Sequence, residues 1–141
     1  MKKLTKKIVV VTLALGAVAS FAQVAVVVGA KSGASAMTAA QAADLFLGKS
    51  DQVAGLGTAL LLDHPEGDAV RDQFYTKVTG KSSAQVKAAW SRLVFSGKAT
   101  PPKELSNSAD VKKMVATNPN AVGYIEKGAV DGTVKVLLSV D

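Results

Sequence analysis

The sequence predicts an α/β domain in which a central mixed β-sheet is flanked by four helices. A run of valines at residues 24–28, broken only by Ala25, indicates a strand that is buried on both faces. Thr38 and Ser82 are each followed three residues later by glutamine, which is the capping-box spacing of a helix start. Strand-like and helix-like segments alternate along the chain, and this alternation is typical of α/β domains.

The first strand and the first helix form the start of the predicted domain. The strand covers residues 23–29, and a loop at residues 31–35 separates it from the helix. Thr38 caps this helix, with Gln41 as its capping-box partner, and Gly48 ends it. Apolar residues at helical spacing form its predicted buried stripe: Ala42, Leu45 and Phe46.

The second strand is predicted at residues 59–62, directly before the second helix. The polar and turn-forming residues 63–67 stop the strand. Asp68 is a favourable residue for the helix cap, and Gly80 is a favourable residue for the helix end. One face of this helix is predicted to contain Arg71, Phe74, Tyr75 and Val78.

Two more helices are predicted in the second half of the chain. The third helix starts at Ser82, ends before Gly97 and is followed by an extended loop at residues 100–102, where two prolines prevent a helix. Its predicted apolar stripe is Val86, Trp90, Leu93 and Val94. The fourth helix starts at Ser108 and is closed by residues 118–120.

The last two strands are predicted at residues 121–125 and 134–140. Both are rich in apolar and β-branched residues, and a turn signal at Asp131 and Gly132 lies between them. This order predicts an antiparallel pair at the C-terminal end of the sheet.

The N-terminal segment has the pattern of a cleavable secretory signal peptide. Four lysines among the first seven residues precede an apolar stretch at residues 8–19, and the small residues of the segment 20–22 suit a signal peptidase. We predict cleavage after Ala22, with the bond after Ala19 as the second choice. A spanning helix needs about 20 apolar residues, more than this stretch contains, so a retained anchor is disfavoured.

Residues 1–22 are therefore predicted to be a signal peptide and residues 23–141 to be one domain located in the periplasm. Without the four N-terminal lysines, 13 Lys and Arg remain against 11 Asp and Glu, a net charge of +2. This weak charge argues against nucleic-acid binding. The chain has no cysteine, which excludes lipoprotein attachment, disulfides and thiolate-bound metal, so the domain must be stabilised by packing alone.

Three segments resemble parts of the phosphate-binding proteins of ABC transporters. They are LFLGK at residues 45–49, WSRLVFSGK at 90–98 and NPNAVGYI at 118–125. Their order and spacing also agree with that family. The resemblance implies a periplasmic-binding-protein-like fold. Full-length members have two lobes that close over an anion, whereas this chain has residues for about one lobe.

The resemblance implies two alternative functions, neither of them enzymatic. The first is a periplasmic solute-binding-like protein related to phosphate uptake, with phosphate or another oxyanion as its ligand. The alternative is an accessory module that kept the lobe, lost the ligand and serves an inner-membrane transporter, a porin or a sensor. A second copy of the chain could supply the missing lobe, which would make the functional unit a homodimer.

The resemblance also points to candidate ligand residues at a turn before the second helix. In the family, a short turn containing Ser and Gly opens a helix, whose free N–H groups and dipole favour an anion. The matching residues here are 65–71. Gly67 is kept, but Asp68 stands where a hydroxyl is expected and Glu66 lies beside it. Two carboxylates beside that turn oppose an anion unless one of them is protonated or accepts a hydrogen bond, and Arg71 offsets them only partly.

Each candidate ligand residue also has a purely structural interpretation. Arg71 could clamp an anion through two hydrogen bonds, or it could pair with an acidic neighbour on its own helix. Ser32 and Gly33 could form a nest of backbone amides for an oxyanion, or they could belong to an ordinary loop before a helix. The sequence leaves both alternatives open.

The remaining conspicuous residues are predicted to be structural. His64 is the only histidine, so it is expected on a surface loop, and neither a metal site nor a cofactor is predicted. No strained serine motif suggests catalysis. The large aromatic residues Trp90, Phe95 and Tyr124 are expected to fill the core.

Overall fold

The computed structural model describes residues 23–141, so the predicted signal peptide lies outside the described residues. The elements in chain order are β1 (Val24–Gly29), α1 (Ala39–Phe46), β2 (Gln52–Val53), β3 (Gly57–Thr58), β4 (Leu60–Asp63), α2 (Ala69–Thr79), α3 (Ser83–Phe95), β5 (Lys103–Glu104), α4 (Ser108–Thr117), β6 (Ala121–Glu126) and β7 (Val134–Val140). In this part of the chain, no helix combines the length and apolar character needed to cross a bilayer.

Five strands form one mixed sheet in the order β5–β4–β6–β1–β7, and β2 pairs with β3 as a separate ribbon. β4 runs parallel to β5 and β6, whereas β1 runs antiparallel to both of its neighbours. The predicted mixed sheet with flanking helices is therefore confirmed.

The predicted pairing of the last two strands is wrong. β6 and β7 do not contact each other as a hairpin, because β1 lies between them and pairs with both. β1 is almost entirely apolar, and placing it in the interior of the sheet gives it partners on both edges and cover on both faces. Burial of this strand outweighs the local turn signal between β6 and β7.

The side chains of β1 alternate between two hydrophobic clusters. Val24, Val26 and Val28 face the cluster to which α1, α2 and α3 contribute. Ala25 and Val27 face the cluster to which α4 contributes. The sheet thus has three helices on one face and one helix on the other.

The local signals for the helix ends are confirmed. Thr38 and Ser82 both form complete capping boxes, with Gln41 and Gln85 respectively. Gly80 ends α2 in the left-handed conformation, at a φ of 69°. These features depend on residues within one turn of each other, which explains why the sequence predicts them.

Trp90 belongs to the core as predicted, but Phe95 does not. Trp90 is buried, and its indole Nε1 donates a hydrogen bond to the Phe46 carbonyl at 2.7 Å. Phe95 is 97% exposed, and Val94 beside it is 46% exposed. At about 100° per residue, Phe95 lies about 140° around the helix from Trp90, so it points away from the core.

Close packing of α4 on β6 depends on Gly123. A Cβ atom added there would lie 2.5 Å from Cγ1 of Val111 and 3.2 Å from Cβ of Leu62. The next residue, Tyr124, is fully buried, in line with its predicted packing role.

Candidate functional site

A cluster of buried polar side chains lies at the carboxyl end of β4, beneath the start of α2. At its centre is Asp63, which is 3% exposed. Its Oδ1 accepts hydrogen bonds from the Tyr124 hydroxyl and from the His64 backbone N–H, the latter at 2.9 Å. Its Oδ2 accepts one from the Tyr75 hydroxyl at 2.6 Å. We call these residues, together with Arg71, the Asp63 cluster.

Arg71 is the cation of the Asp63 cluster and is only 5% exposed. Its Nη1 donates to the His64 carbonyl at 2.9 Å and to Glu104 Oε1 at 3.0 Å, and it lies 3.7 Å from Asp63 Oδ2. Its Nε donates to Ser83 Oγ at 3.2 Å. Burial acts to lower the pKa of Arg71, but the Asp63 carboxylate and the other partners outweigh it, so the pKa is raised. The guanidinium is therefore charged and held by groups of its own chain.

The two tyrosines of the cluster are held in the neutral form. Burial raises the pKa of both Tyr75 and Tyr124 far above the ordinary tyrosine value, and the Asp63 carboxylate raises each further. A neutral hydroxyl can donate its proton to Asp63, whereas a tyrosinate would place a second negative charge beside it. The two tyrosine hydroxyls thus donate hydrogen bonds to the buried carboxylate, which needs no contact with solvent.

The prediction that His64 lies on a surface loop is wrong. The residue is 1% exposed, and its ring stacks on Tyr124 with centroids 4.8 Å apart. Its Nε2 lies 2.8 Å from the Tyr124 carbonyl, and because a carbonyl only accepts, Nε2 carries the proton. His64 follows β4 directly and continues into the interior. The aromatic partner that keeps it there is 60 residues away in the sequence.

The N-terminus of α2 is capped by a carboxylate of the chain itself. Asp68 Oδ1 accepts a hydrogen bond from the Val70 amide at 2.8 Å, and Asp68 Oδ2 lies 3.7 Å from the unpaired Nδ1 of His64. Gly67 makes the preceding turn at a φ of 83°, a conformation that favours glycine. Glu66 pairs with Lys87 at 3.1 Å on the surface. A negative charge therefore already occupies the helix start.

Ser32 and Gly33 lie at the opposite end of the sheet from Gly67, Asp68 and Arg71. They follow β1, which runs antiparallel to β6, whereas the turn at Gly67 follows β4, which runs parallel to β6. The Ser32 amide donates to the Gly29 carbonyl, and Ser32 Oγ accepts from the Ala34 amide. The structure thus brings three of the five candidate ligand residues together, and it separates the other two from them.

Sequence reasoning missed most of the Asp63 cluster. An aspartate at the end of an otherwise apolar strand was the available signal, because a carboxylate there must be paired if it is buried. Its partners come from α2 and β6, and Arg71 has further partners in α3 and β5. No group of three or more metal-ligating side chains is found among residues 23–141.

Comparison with solved structures identifies the fold. A phosphate ABC transporter substrate-binding protein of Clostridium perfringens, solved with bound phosphate, superposes with a TM-score of 0.65 at 20% identity, over 83% of this chain and 45% of that one. The chain has a periplasmic-binding-protein-like fold. An ABC-type phosphate transport receptor of Vibrio cholerae gives a TM-score of 0.64 at 18% identity, over 83% of this chain and 47% of the receptor.

The periplasmic-binding-protein-like fold is present here over only part of the length of those two proteins. The chain spans less than half of each. No protein-family model matches the sequence, and the comparison with curated proteins finds no match. The comparisons therefore establish the fold.

Proposed function

We propose that the chain is a non-enzymatic, exported module of the solute-binding type that acts through protein contacts in the periplasm and does not serve as a phosphate receptor. The observation that carries this proposal is the use of the α2 start by the chain's own charges. Asp68 caps the helix, and Arg71 is held by the Asp63 cluster. Its partner would be an inner-membrane transporter, a porin or a sensor, and residues 1–22 would direct export.

The charges at the helix start oppose an incoming anion. A helix N-terminus stabilises a negative group by about 0.3–1 kcal/mol, and by up to about 2 kcal/mol in partly buried sites. Two like charges 4 Å apart repel by about 4 kcal/mol near a protein surface. Asp68 would stand beside any oxyanion bound at this turn, so the repulsion exceeds the contribution of the helix unless the oxyanion donates a hydrogen bond of its own to Asp68.

Arg71 does not remove this repulsion. Its guanidinium already compensates Asp63 and bonds Glu104, and it is 5% exposed. Turning it toward a ligand would leave the buried Asp63 carboxylate without a cation, which is a strongly unfavourable change. The cost of freeing Arg71 therefore adds to the repulsion by Asp68.

Oxyanion binding is the second candidate function because the turn before α2 has the backbone conformation that such a site requires. Gly67 has a positive φ and leads into a capped helix of 11 residues, and one of the solved proteins with this fold carries bound phosphate. A bound oxyanion would contact the amides of the α2 start together with Arg71. Ser32 and Gly33 could not join that site within one copy of the chain.

A thermal-shift comparison with phosphate separates the two functions. The variant Asp68→Ser removes the charge and restores a hydroxyl, whereas the control Asp68→Asn removes only the charge, and both residues cap helices well. We expect phosphate to leave the wild-type melting temperature unchanged and to raise that of Asp68→Ser. Ligand at 100 times its dissociation constant stabilises by about 2.7 kcal/mol. A clear phosphate-dependent rise in the wild type would overturn the proposal and favour the receptor function.

A further inference from the structure

One ring nitrogen of His64 is buried and has no hydrogen-bond partner among the described residues. This atom is Nδ1, and the His64 side chain is only 1% exposed. The other ring nitrogen, Nε2, is fixed by the Tyr124 carbonyl and carries the proton, so Nδ1 presents a lone pair. Asp68 Oδ2 lies 3.7 Å from it. Two hydrogen-bond acceptors therefore face each other at the start of α2, and neither gains a bond from the contact.

We propose that His64 and Asp68 form a pH-sensitive switch between the end of β4 and the start of α2. When the pH falls, Nδ1 of His64 takes up a proton and donates it in a hydrogen bond to Asp68 Oδ2. A charged hydrogen bond of this kind is about 2.7–2.9 Å long, so a movement of about 1 Å forms it. Asp68 Oδ1 keeps its hydrogen bond from the Val70 amide. The carboxylate then joins the histidine ring to the helix cap.

The charged groups around His64 favour the added proton. Asp68 faces the ring from the start of α2, and Asp63 on β4 accepts from the His64 backbone N–H. Arg71 on α2 donates to the His64 carbonyl and is itself bound by Glu104 on β5. Three carboxylates and one guanidinium give this group a net charge of −2. Protonation of His64 reduces that charge to −1.

The aromatic neighbours of His64 are compatible with a charged ring. The ring stacks on Tyr124 with centroids 4.8 Å apart, which is within the range where a cation is attracted to an aromatic face. Tyr75 and Tyr124 are neutral and add no charge of their own. Burial disfavours a charged imidazole, and the carboxylates together with Tyr124 offset this cost. Asp68 is 27% exposed, so protons from the solvent can reach the contact.

Protonation of His64 changes the surface that the α2 start offers to a partner. Near neutral pH the Asp68 carboxylate has no cation of its own, whereas Glu66 beside it is paired with Lys87. In acid, the charge of Asp68 is neutralised by His64 and both of its oxygens are held. A partner on this turn meets one negative charge fewer and a more rigid helix start. The switch goes beyond the proposed function, because it operates without a partner and without phosphate.

NMR of the purified protein with isotope-labelled histidine tests the switch directly, because His64 is the only histidine. We expect a ring protonated only on Nε2 at neutral pH and on both nitrogens in acid, while circular dichroism still shows the native fold. The Val70 amide should exchange about tenfold more slowly in acid, after correction for the intrinsic effect of pH. This is the scale of one hydrogen bond to a charged group. A ring that stays neutral until the protein unfolds would overturn the proposal.

Two variants of neighbouring carboxylates test whether Asp68 is the partner of His64. Asp68→Asn removes the charge but keeps a residue that caps helices well, so proton uptake by His64 should move to lower pH and the slowing at Val70 should disappear. Asp72→Asn is the matched control, because it removes an exposed carboxylate from the first turn of the same helix. Equal titration of His64 in the two variants would refute the switch. All of these measurements are made without phosphate, so they leave the test of the proposed function unaffected.

Discussion

Removing the positive charge of Arg71 should cost a large part of the stability of the fold. Arg71→Ala leaves the buried carboxylate of Asp63 without its cation and removes the donor to the His64 carbonyl. Breaking a buried ion pair by deleting one partner costs about 3–5 kcal/mol. Domains of this size are stable by about 5–15 kcal/mol, so the variant should keep a folded state with a much lower denaturation midpoint.

Urea denaturation followed by circular dichroism measures this cost. With a slope of about 1.5 kcal/mol per molar urea, a loss of 3–5 kcal/mol lowers the midpoint by about 2–3 M. Lys87→Ala is the control, because the pair between Lys87 and Glu66 is exposed and should contribute only about 0–1 kcal/mol. Arg71→Lys keeps the charge but cannot reproduce the fork of hydrogen bonds, so its midpoint should lie between those of wild type and Arg71→Ala.

The outcome decides whether Arg71 is structural. If Arg71→Ala had the same midpoint as Lys87→Ala, the contacts of Arg71 would contribute no net stability. The residue would then be available to a ligand, and only the charge of Asp68 would oppose an oxyanion at the α2 start.

Two further predictions follow from the structure, and a third follows from the sequence of residues 1–22. Trp90→Ala should destabilise the domain by about 3–5 kcal/mol, because it empties a core position and removes the hydrogen bond to the Phe46 carbonyl. An unchanged urea midpoint would contradict this prediction. Tyr75 and Tyr124 are the only tyrosines, and both have a raised pKa in the folded state. Because the unfolded chain loses these protons near pH 10 and the folded protein keeps them, the free energy of unfolding should fall above about pH 10, by up to about 2.7 kcal/mol per pH unit. Tyrosinate absorbance should therefore appear only together with unfolding, and a gradual titration of the folded protein near pH 10 would be the opposite result. For export, the intact mass of periplasmic protein should correspond to a chain that begins at Gln23, and recovery of only the full-length chain from membranes would refute cleavage.

The sequence predicts those parts of the fold that depend on neighbouring residues. The apolar run of β1, the capping boxes at Thr38 and Ser82 and the terminator Gly80 each act within one or two turns of chain. The local conformations that these residues favour persist in the folded protein because the tertiary contacts are compatible with them. The position of β1 between β6 and β7 cannot be predicted from neighbouring residues. It depends on contacts that cover both faces and both edges of β1, and its two partner strands lie about 100 residues away in the sequence.

The candidate site was harder to predict because its contacts are long-range. Asp63 and Tyr124 are 61 residues apart, and Arg71 reaches Glu104 over 33 residues. A single sequence does not reveal which carboxylate pairs with which hydroxyl or cation. The sequence predicts a surface position for His64 because it is the only histidine and no cysteine accompanies it, although the stacking on Tyr124 keeps it buried. The size of Phe95 predicts a core position, although its angle around α3 directs it outward.

Direct calorimetric titration of the wild-type protein with phosphate at neutral pH tests the central claim, that the charges at the α2 start are already used within the chain. With Asp68 capping the helix and Arg71 held by the Asp63 cluster, we expect no saturable heat of binding up to millimolar phosphate. Saturable binding in the micromolar range, lost in a variant of the turn at Gly67 and Asp68 that still folds, would contradict the claim.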